Sequence, residues 1–164
     1  MKRFVSVMTV LAIAAATIAW SATAQSNKTA AKSRSVTLHL VEKAAGFNFL
    51  DNPPRQGFNA PPLIGDQFAF SADLLTRSGK HAGTFGATCM VARGGVHATT
   101  VCYGIYSLKG GDIAGIARGS ESNTTHIAIV GGTRVYEGVT GSSVEIGRPN
   151  DSLFTDVTIH LLFP

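Results

Sequence analysis

Apolar and polar residues alternate along most of the chain, in short stretches separated by turns that contain glycine. In residues 35–42, for example, Val36, Leu38 and Leu40 share one face of an extended chain. Alternation with a period of two, together with β-branched and aromatic residues, is typical of β-strands. The pattern predicts strands over residues 35–42, 66–75, 81–91, 98–108, 112–121, 125–130, 134–139 with 142–148, and 153–163.

These segments total about eight strands, and after residue 35 no stretch shows the period of an amphipathic helix. Eight antiparallel strands that follow one another can close into a barrel, which removes exposed edges and leaves an interior for side chains or one small ligand. We therefore predict an all-β fold, an eight-stranded antiparallel up-and-down β-barrel. A sandwich of two sheets is an alternative that alternation does not exclude.

A long connection is predicted over residues 43–65, which contain Pro53, Pro54, Pro61 and Pro62. Loops of this length inside a compact domain are usually functional. We expect this segment to form a lid or a binding loop at one mouth of the barrel.

The N-terminus has the three-part pattern of a secretory signal peptide. Lys2 and Arg3 precede an apolar run, and Ala22 and Ala24 form a small-x-small pair before a cleavage site predicted after Ala24. The alternative is a membrane-anchoring helix, for which the run is short. We predict a signal peptide over 1–24, a flexible leader over 25–35, a barrel domain over 36–164, secretion or export to the periplasm, and no stable membrane anchor.

The positive net charge of +4 comes from the N-terminal part of the chain. Five of the 14 Lys and Arg residues lie before Ser35, which leaves nine cations against all ten Asp and Glu in the remaining chain. Lys and Arg are also dispersed there, with no basic stripe of the kind that binds nucleic acid. We therefore expect a nearly neutral domain with no nucleic-acid partner.

Cys89 and Cys102 lie at equal distances from the midpoint between Gly95 and Val96, where a two-residue turn is predicted. In a hairpin centred there, the two residues would face each other directly, within disulfide range. An exported protein meets an oxidising compartment, so we predict a disulfide. Two buried thiols, or a functional Cys89 that faces a cavity, are the alternatives.

The familiar spacings of metal, phosphate and nucleotide sites are missing from the sequence. The five histidines are scattered singly, with no pair at the spacing of metal ligands. We predict no metal site and no cofactor.

Three stretches occur in order along the chain: IGDQFAFSADLLT at 64–76, GTFGATCMV at 83–91 and IAIVGGTRVYEGVTGSSVEI at 127–146. In their order and glycine spacing they resemble the allene oxide cyclase and dirigent superfamily. In the glycine-rich third stretch Gly131, Gly132, Gly138 and Gly141 match the family, whereas Arg134 stands where the family often has glycine.

The resemblance implies an eight-stranded antiparallel barrel that binds a small hydrophobic metabolite and guides its cyclisation or stereoselective coupling. It also implies assembly into dimers or trimers. Phe68 and Phe70 match apolar residues that line the family's cavity, and Cys89 matches a cavity cysteine.

Polar participants in such a reaction are predicted at His39, Glu42, Asp73 and Tyr103, and Tyr106 is predicted to bind the ligand. One hypothesis is therefore an enzyme with isomerase, cyclase or dirigent activity, which uses the shape of its cavity more than strong acid or base. The other is a non-catalytic extracytoplasmic barrel that binds a ligand or has a structural role.

Overall fold

The computed structural model of this protein describes residues 33–52, 61–119 and 122–164. The predicted signal peptide and most of the predicted leader lie outside the described residues. The described chain forms eight strands: β1 Arg34–Leu50, β2 Gln67–Thr76, β3 His81–Arg93, β4 Thr99–Leu108, β5 Gly111–Gly119, β6 Thr124–Gly132, β7 Thr140–Arg148 and β8 Asp151–Phe163. A short 3-10 helix, Arg134–Tyr136, lies between β6 and β7.

The strands pair in sequence order, all antiparallel, and β8 pairs with β1. The first and last strands are in register from Arg34 opposite Phe163 to Lys43 opposite Phe154. The sheet is therefore a closed up-and-down barrel, which confirms the predicted fold class and excludes the two-sheet sandwich.

Alternate residues of each strand face one continuous interior. On β3, for example, Phe85, Ala87 and Cys89 are buried while Gly86 and Thr88 between them are exposed. The core is most densely filled where even-numbered strands end and odd-numbered strands begin. Fully buried residues at this end include Leu74, Ile113, Val139, Ile159 and Leu161.

The first strand is longer than the sequence predicts. Residues 43–50 were expected in the connection, but β1 continues to Leu50 and pairs with β2 up to Leu50 opposite Gln67. A register shift between Ala44 and Gly46 interrupts the alternation there, which is why the pattern fails to signal a strand. The predicted loop is thus wrong over 43–50, and residues 53–60 lie outside the described part of the chain.

Asp66 forms hydrogen bonds with residues on both sides of segment 53–60. Its buried carboxylate accepts hydrogen bonds from the backbone N–H groups of Asn52 and Leu63, both at 2.8 Å. The preceding Gly65 has a φ of +94°, a conformation that favours glycine. Gly65 and Asp66, which directly precede β2, therefore have a structural role in the turn that leads into this strand.

The strand predicted over residues 134–139 is wrong, because this segment forms the 3-10 helix and a turn. Arg134 has a φ of +55°, and among the described residues other than glycine it alone has a positive φ. A side chain is disfavoured in this conformation, which accounts for the glycine often found there in the family that the chain resembles. Tyr136 and Val139 pack against the filled end of the core.

Cys89 and Cys102 are directly opposite each other on β3 and β4 and form a disulfide, with 4.0 Å between their Cα atoms. The predicted pairing is confirmed. The connection between β3 and β4 is longer than the predicted two-residue turn, because a register shift between Val91 and Arg93 places Arg93 opposite Thr99.

Within residues 33–52, 61–119 and 122–164, no helix is long and apolar enough to cross a membrane.

Substitution of two adjacent leucines of β8 tests which face of the strand lies in the barrel interior. Leu161 is fully buried, whereas Leu162 is 53% exposed. We expect Leu161→Ala to lower the free energy of unfolding by about 2–5 kcal/mol, because it leaves a cavity in the core. The matched variant Leu162→Ala should change it by about 0.5 kcal/mol or less. Urea unfolding of both variants measures the difference, and equal losses would contradict the assigned faces.

A thiol titration tests the cross-link. The protein, denatured without a reductant, is expected to show no reactive thiol, and two after reduction, because Cys89 and Cys102 are its only cysteines. Two reactive thiols before reduction would show that the disulfide is not formed.

Candidate functional site

A cavity of about 160 Å³ lies inside the barrel at the end where odd-numbered strands end and even-numbered strands begin. We call it the end cavity. It exists because several inward-facing positions carry small residues. Its lining consists of Phe68, Phe70, Phe85, Ala87, Cys89, Cys102, Gly104, Tyr106, Gly115, Ala117, Thr125, Ile127 and Glu145.

Gly104 shows how the small residues shape this wall. A Cβ atom at this position would lie 2.8 Å from two ring carbons of Phe85. A side chain at this position would therefore force the Phe85 ring to move, and glycine leaves the space that the ring occupies.

A row of aromatic rings leads from the exposed rim into the barrel. The ring centroids are separated by 5.9 Å from Phe47 to Phe68, 6.5 Å from Phe68 to Phe70, 5.7 Å from Phe70 to Phe85 and 4.6 Å from Phe85 to Tyr106. Phe47 is 64% exposed, whereas Tyr106 is fully buried. Four of these five rings, from Phe68 to Tyr106, line the cavity and give it an aromatic side suited to an apolar or unsaturated ligand.

The disulfide also lies in this wall, because both Cys89 and Cys102 line the end cavity. Cys89 is therefore both cross-linked and cavity-facing. A free thiol nucleophile at this position is excluded as long as the disulfide is intact.

The floor of the end cavity is polar. The Tyr106 hydroxyl donates a hydrogen bond of 2.6 Å to Oε1 of Glu145 and lies 3.3 Å from the hydroxyl oxygen of Ser143. Ser143 and Glu145 are both buried inward-facing residues of β7. A carboxyl group with a fixed orientation thus lies at the base of a mostly apolar cavity.

A second buried carboxyl group, that of Glu42, interacts with Glu145. The two residues stand on β1 and β7, the strands that flank β8, with Glu42 opposite Thr155 and Glu145 opposite Val157. Both side chains point inward over β8, and a hydrogen bond joins them. The closed barrel thereby places two acidic groups in contact away from water.

Burial, the charge of Glu145 and the hydrogen bond between the two side chains together raise the pKa of Glu42 to about 9, and burial contributes most. Burial also raises the pKa of Glu145, while the hydrogen bonds from Tyr106 and Glu42 oppose that shift. At neutral pH the pair therefore keeps a proton. Burial and Glu145 raise the pKa of Tyr106 as well, so its hydroxyl remains protonated.

The structure brings five of the residues predicted from sequence to the interior and leaves three outside. Phe68, Phe70, Cys89 and Tyr106 line the end cavity, and Glu42 lies behind it. His39 is exposed beside Thr158, Asp73 is half-exposed near His81, and Tyr103 is 62% exposed.

The reason for this division is the period of the strands. Along any stretch of strand without a register shift, the interior residues differ from the exterior ones by an odd number of positions. His39 and Glu42 are three apart on β1, and Tyr103 and Tyr106 are three apart on β4. Each such pair contains one inward and one outward residue.

Sequence reasoning missed Glu145, Ser143 and Phe85. Glu145 lies between Val144 and Ile146, and this alternation suggests that the apolar neighbours face inward. In the structure Ile146 is 49% exposed and Glu145 is buried. Phe85 was within reach of sequence reasoning, because it shares a face of β3 with Cys89.

Among the described residues, no three His, Cys, Asp or Glu side chains are grouped closely enough to hold a metal ion.

No protein-family model matches this sequence, and no curated protein matches it in sequence. Solved structures do match. That of a pyocyanin demethylase has a TM-score of 0.64 at 23% identity, over 77% of this chain and 99% of that chain. The pterocarpan synthase dirigent protein GePTS1 also has a TM-score of 0.64, at 14% identity, over 80% of this chain and 86% of that chain.

A third structure, of AbnU, an exo-specific intermolecular Diels-Alderase, has a TM-score of 0.64 at 15% identity, over 81% of this chain and all of that chain. At these identities the likeness is one of fold. It confirms that the chain has the barrel fold of the dirigent proteins and of Diels-Alderase barrels, in agreement with the resemblance seen in the sequence.

The buried carboxyl pair is expected to make stability depend on pH. The folded protein binds the Glu42 proton more tightly than the unfolded chain, so the stability that this proton provides is lost as pH rises from about 4.5 to about 9. One such group contributes at most about 1.4 kcal/mol per pH unit. The free energy of unfolding of Glu42→Gln, relative to that of the wild type, should therefore increase as pH rises through this range.

Urea unfolding of wild type and Glu42→Gln between about pH 5 and about pH 9 measures this difference. The control is Glu137→Gln, because Glu137 is exposed. Parallel pH profiles for wild type and Glu42→Gln would contradict the raised pKa.

Proposed function

We propose that this protein is an exported barrel that binds a small hydrophobic molecule in its end cavity and guides the cyclisation or stereoselective coupling of that molecule. The observation that carries the proposal is the hydrogen-bonded pair of Tyr106 and Glu145 at the floor of a mostly apolar cavity. The disulfide supports export, because such cross-links persist in oxidising compartments.

The lining of the cavity supports a ligand with an apolar, unsaturated body and one oxygen function. The aromatic row from Phe68 to Tyr106 offers ring faces for stacking. An apolar cavity of about 150 Å³ can hold a benzene-sized molecule, so a larger ligand would extend past Phe68 to the rim. An oxygen of the ligand would lie near the Tyr106 hydroxyl and the Glu145 carboxyl.

The chemistry would combine shape with one proton transfer. Holding a flexible molecule with its reacting atoms close together removes much of the entropic barrier to ring closure. Glu145 would give a proton to the ligand oxygen or take one from it, and such a group typically accelerates a reaction about 10²–10⁴-fold. Tyr106 would orient Glu145 through its hydrogen bond.

The structural neighbours support the same class of reaction. A pterocarpan synthase dirigent protein and an intermolecular Diels-Alderase share the fold. Because fold alone does not determine activity, the proposal depends on the cavity and not on the activities of these neighbours.

Of the residues predicted from sequence, the proposal retains Glu42, Phe68, Phe70, Cys89 and Tyr106, and it adds Glu145. His39, Asp73 and Tyr103 are left out because their side chains lie on the outer face. Exposed apolar side chains on the outside of the barrel support the predicted dimers or trimers, among them Met90, Tyr103, Ile105 and Val130.

Co-purification followed by mass spectrometry tests binding. Wild-type protein from its native source is expected to carry a hydrophobic metabolite. Ala117→Leu, which adds bulk inside the end cavity, should carry much less of it. The matched variant Ala128→Leu adds the same bulk at an exposed position and should bind like wild type. Repeated recovery of an empty wild-type barrel would contradict the proposal and favour a structural role.

Conversion of the recovered class of ligand tests catalysis. We expect Glu145→Gln to bind the ligand but to convert it about 10²-fold more slowly or worse, because Gln cannot transfer the proton. Tyr106→Phe should reduce the rate less. Equal product formation by wild type and Glu145→Gln would contradict a catalytic role, and binding without any conversion by wild type would favour the non-catalytic ligand-binding barrel.

A further inference from the structure

A second cavity opens where β1 and β8 separate. Their pairing ends at Lys43 opposite Phe154, although β1 continues to Leu50 beside β2. The register of β1 shifts just beyond this point, between Ala44 and Gly46. A strand that bulges away from its neighbour leaves a gap in the wall of a barrel.

This cavity, which we call the side cavity, has a volume of about 180 Å³. Ser152 and Leu153 of β8 are exposed at its outer part, and Glu42, 6% exposed, lies at its inner part. Small residues widen it, as in the end cavity. The full lining is Glu42, Ala44, Gly46, Phe47, Phe70, Ser71, Ala72, Ser152, Leu153 and Thr155.

Glu42 has an unsatisfied oxygen at this position. Oε1 of Glu42 is buried and has no hydrogen-bond partner among the described residues. An unpaired buried acceptor is costly, and a water molecule that donates a hydrogen bond would remove this cost. The side cavity is large enough for water and reaches the protein surface.

The two carboxyl groups connect the two cavities. Glu145 lines the end cavity, Glu42 lines the side cavity, and the two interact directly. Phe70 belongs to both linings. The residues opposite Glu42 on the neighbouring strands are Leu74 and Thr155, and neither is ionisable. The ionisable neighbours of Glu42 are therefore Glu145 and, through Glu145, Tyr106.

We propose that the side cavity admits water to Glu42 and that Glu42 and Glu145 relay protons between this water and the end cavity. Glu42 passes its proton to Glu145, and Glu145 gives that proton to the ligand. Water in the side cavity then returns one proton from the solvent to Glu42. The pair starts and ends with one proton, the ligand gains one, and the solvent loses one.

The relay explains how an acid buried beneath a bound hydrophobic ligand recovers its proton without release of that ligand. Its use in catalysis rests on the proposed function, but water access to Glu42 does not. The experiment below therefore needs no ligand, and its outcome is independent of whether a ligand or an activity is found.

Infrared spectroscopy of the full protein follows the proton on Glu42. The wild type at neutral pH is expected to show the C=O absorption of a buried protonated carboxyl group, and Glu42→Gln should lack it. After rapid mixing into D₂O, this absorption shifts as the proton exchanges with solvent. The rate of the shift measures how readily water reaches Glu42.

Two variants narrow the side cavity at exposed positions that tolerate substitution, Ala44→Leu and Ser152→Leu. Each is expected to slow the exchange about tenfold or more. Ala117→Leu, which narrows the end cavity instead, should leave the rate unchanged. Circular dichroism confirms that each variant is folded.

The proposal is overturned by any of three results. The absorption could persist in Glu42→Gln, which would place the proton elsewhere. Exchange could slow in Ala117→Leu and not in the side-cavity variants, which would make the end cavity the route of water. Exchange could also be the same in all variants, which would mean that water reaches Glu42 through opening of the barrel itself.

Discussion

The hydrogen bonds between β1 and β8 are the interaction on which the site depends. They close the sheet, and closure makes the inward residues of all eight strands neighbours in one interior. Glu42 and Glu145 are 103 positions apart in the chain, yet they stand on the two strands beside β8. An open sheet would leave these carboxyl groups at opposite edges and accessible to water.

Closure also sets the electrostatics of the pair. Two carboxyl groups that share a water-poor interior cannot both ionise without a large cost, so one proton stays between them. The Tyr106 hydroxyl offsets part of the cost for Glu145 through its short hydrogen bond. The result is a pair with a proton donor on one side and an acceptor on the other, at the pH where an ordinary glutamate is ionised. Such shifted groups are common where proteins carry out acid and base chemistry.

The two ends of the barrel differ because of side-chain volume alone. The same alternation runs along the whole of each strand, but the filled end presents Ile113, Ile159 and Leu161, and the cavity end presents residues such as Gly104 and Ala117. Packing at native density leaves no space for a ligand. A barrel of this strand number therefore has an internal cavity only where some of its inward residues are small, as Gly104 and Ala117 are beside the aromatic row.

Much of the fold was predictable from local pattern, because alternation and turn residues act over a few positions. Most strands and the facing of Cys89 and Cys102 followed from it. The C-terminal half of β1 did not, since a register shift at Ala44 and Gly46 breaks the alternation that signals a strand. The site was predicted in part. Phe68, Phe70 and Tyr106 line the cavity, but the predicted polar residues came from both faces of their strands, and Glu145 was hidden between two apolar residues.

The sequence by itself therefore determined most of the residues that form strands, that the strands could close into a barrel, and which cysteines face each other, because each of these depends on neighbours along the chain or across one turn. Only the tertiary structure decided that Glu145 faces inward while Val144 and Ile146 do not, and that Glu42 meets it over β8. The period of a strand defines two faces, but closure of the whole barrel decides which of them is the interior.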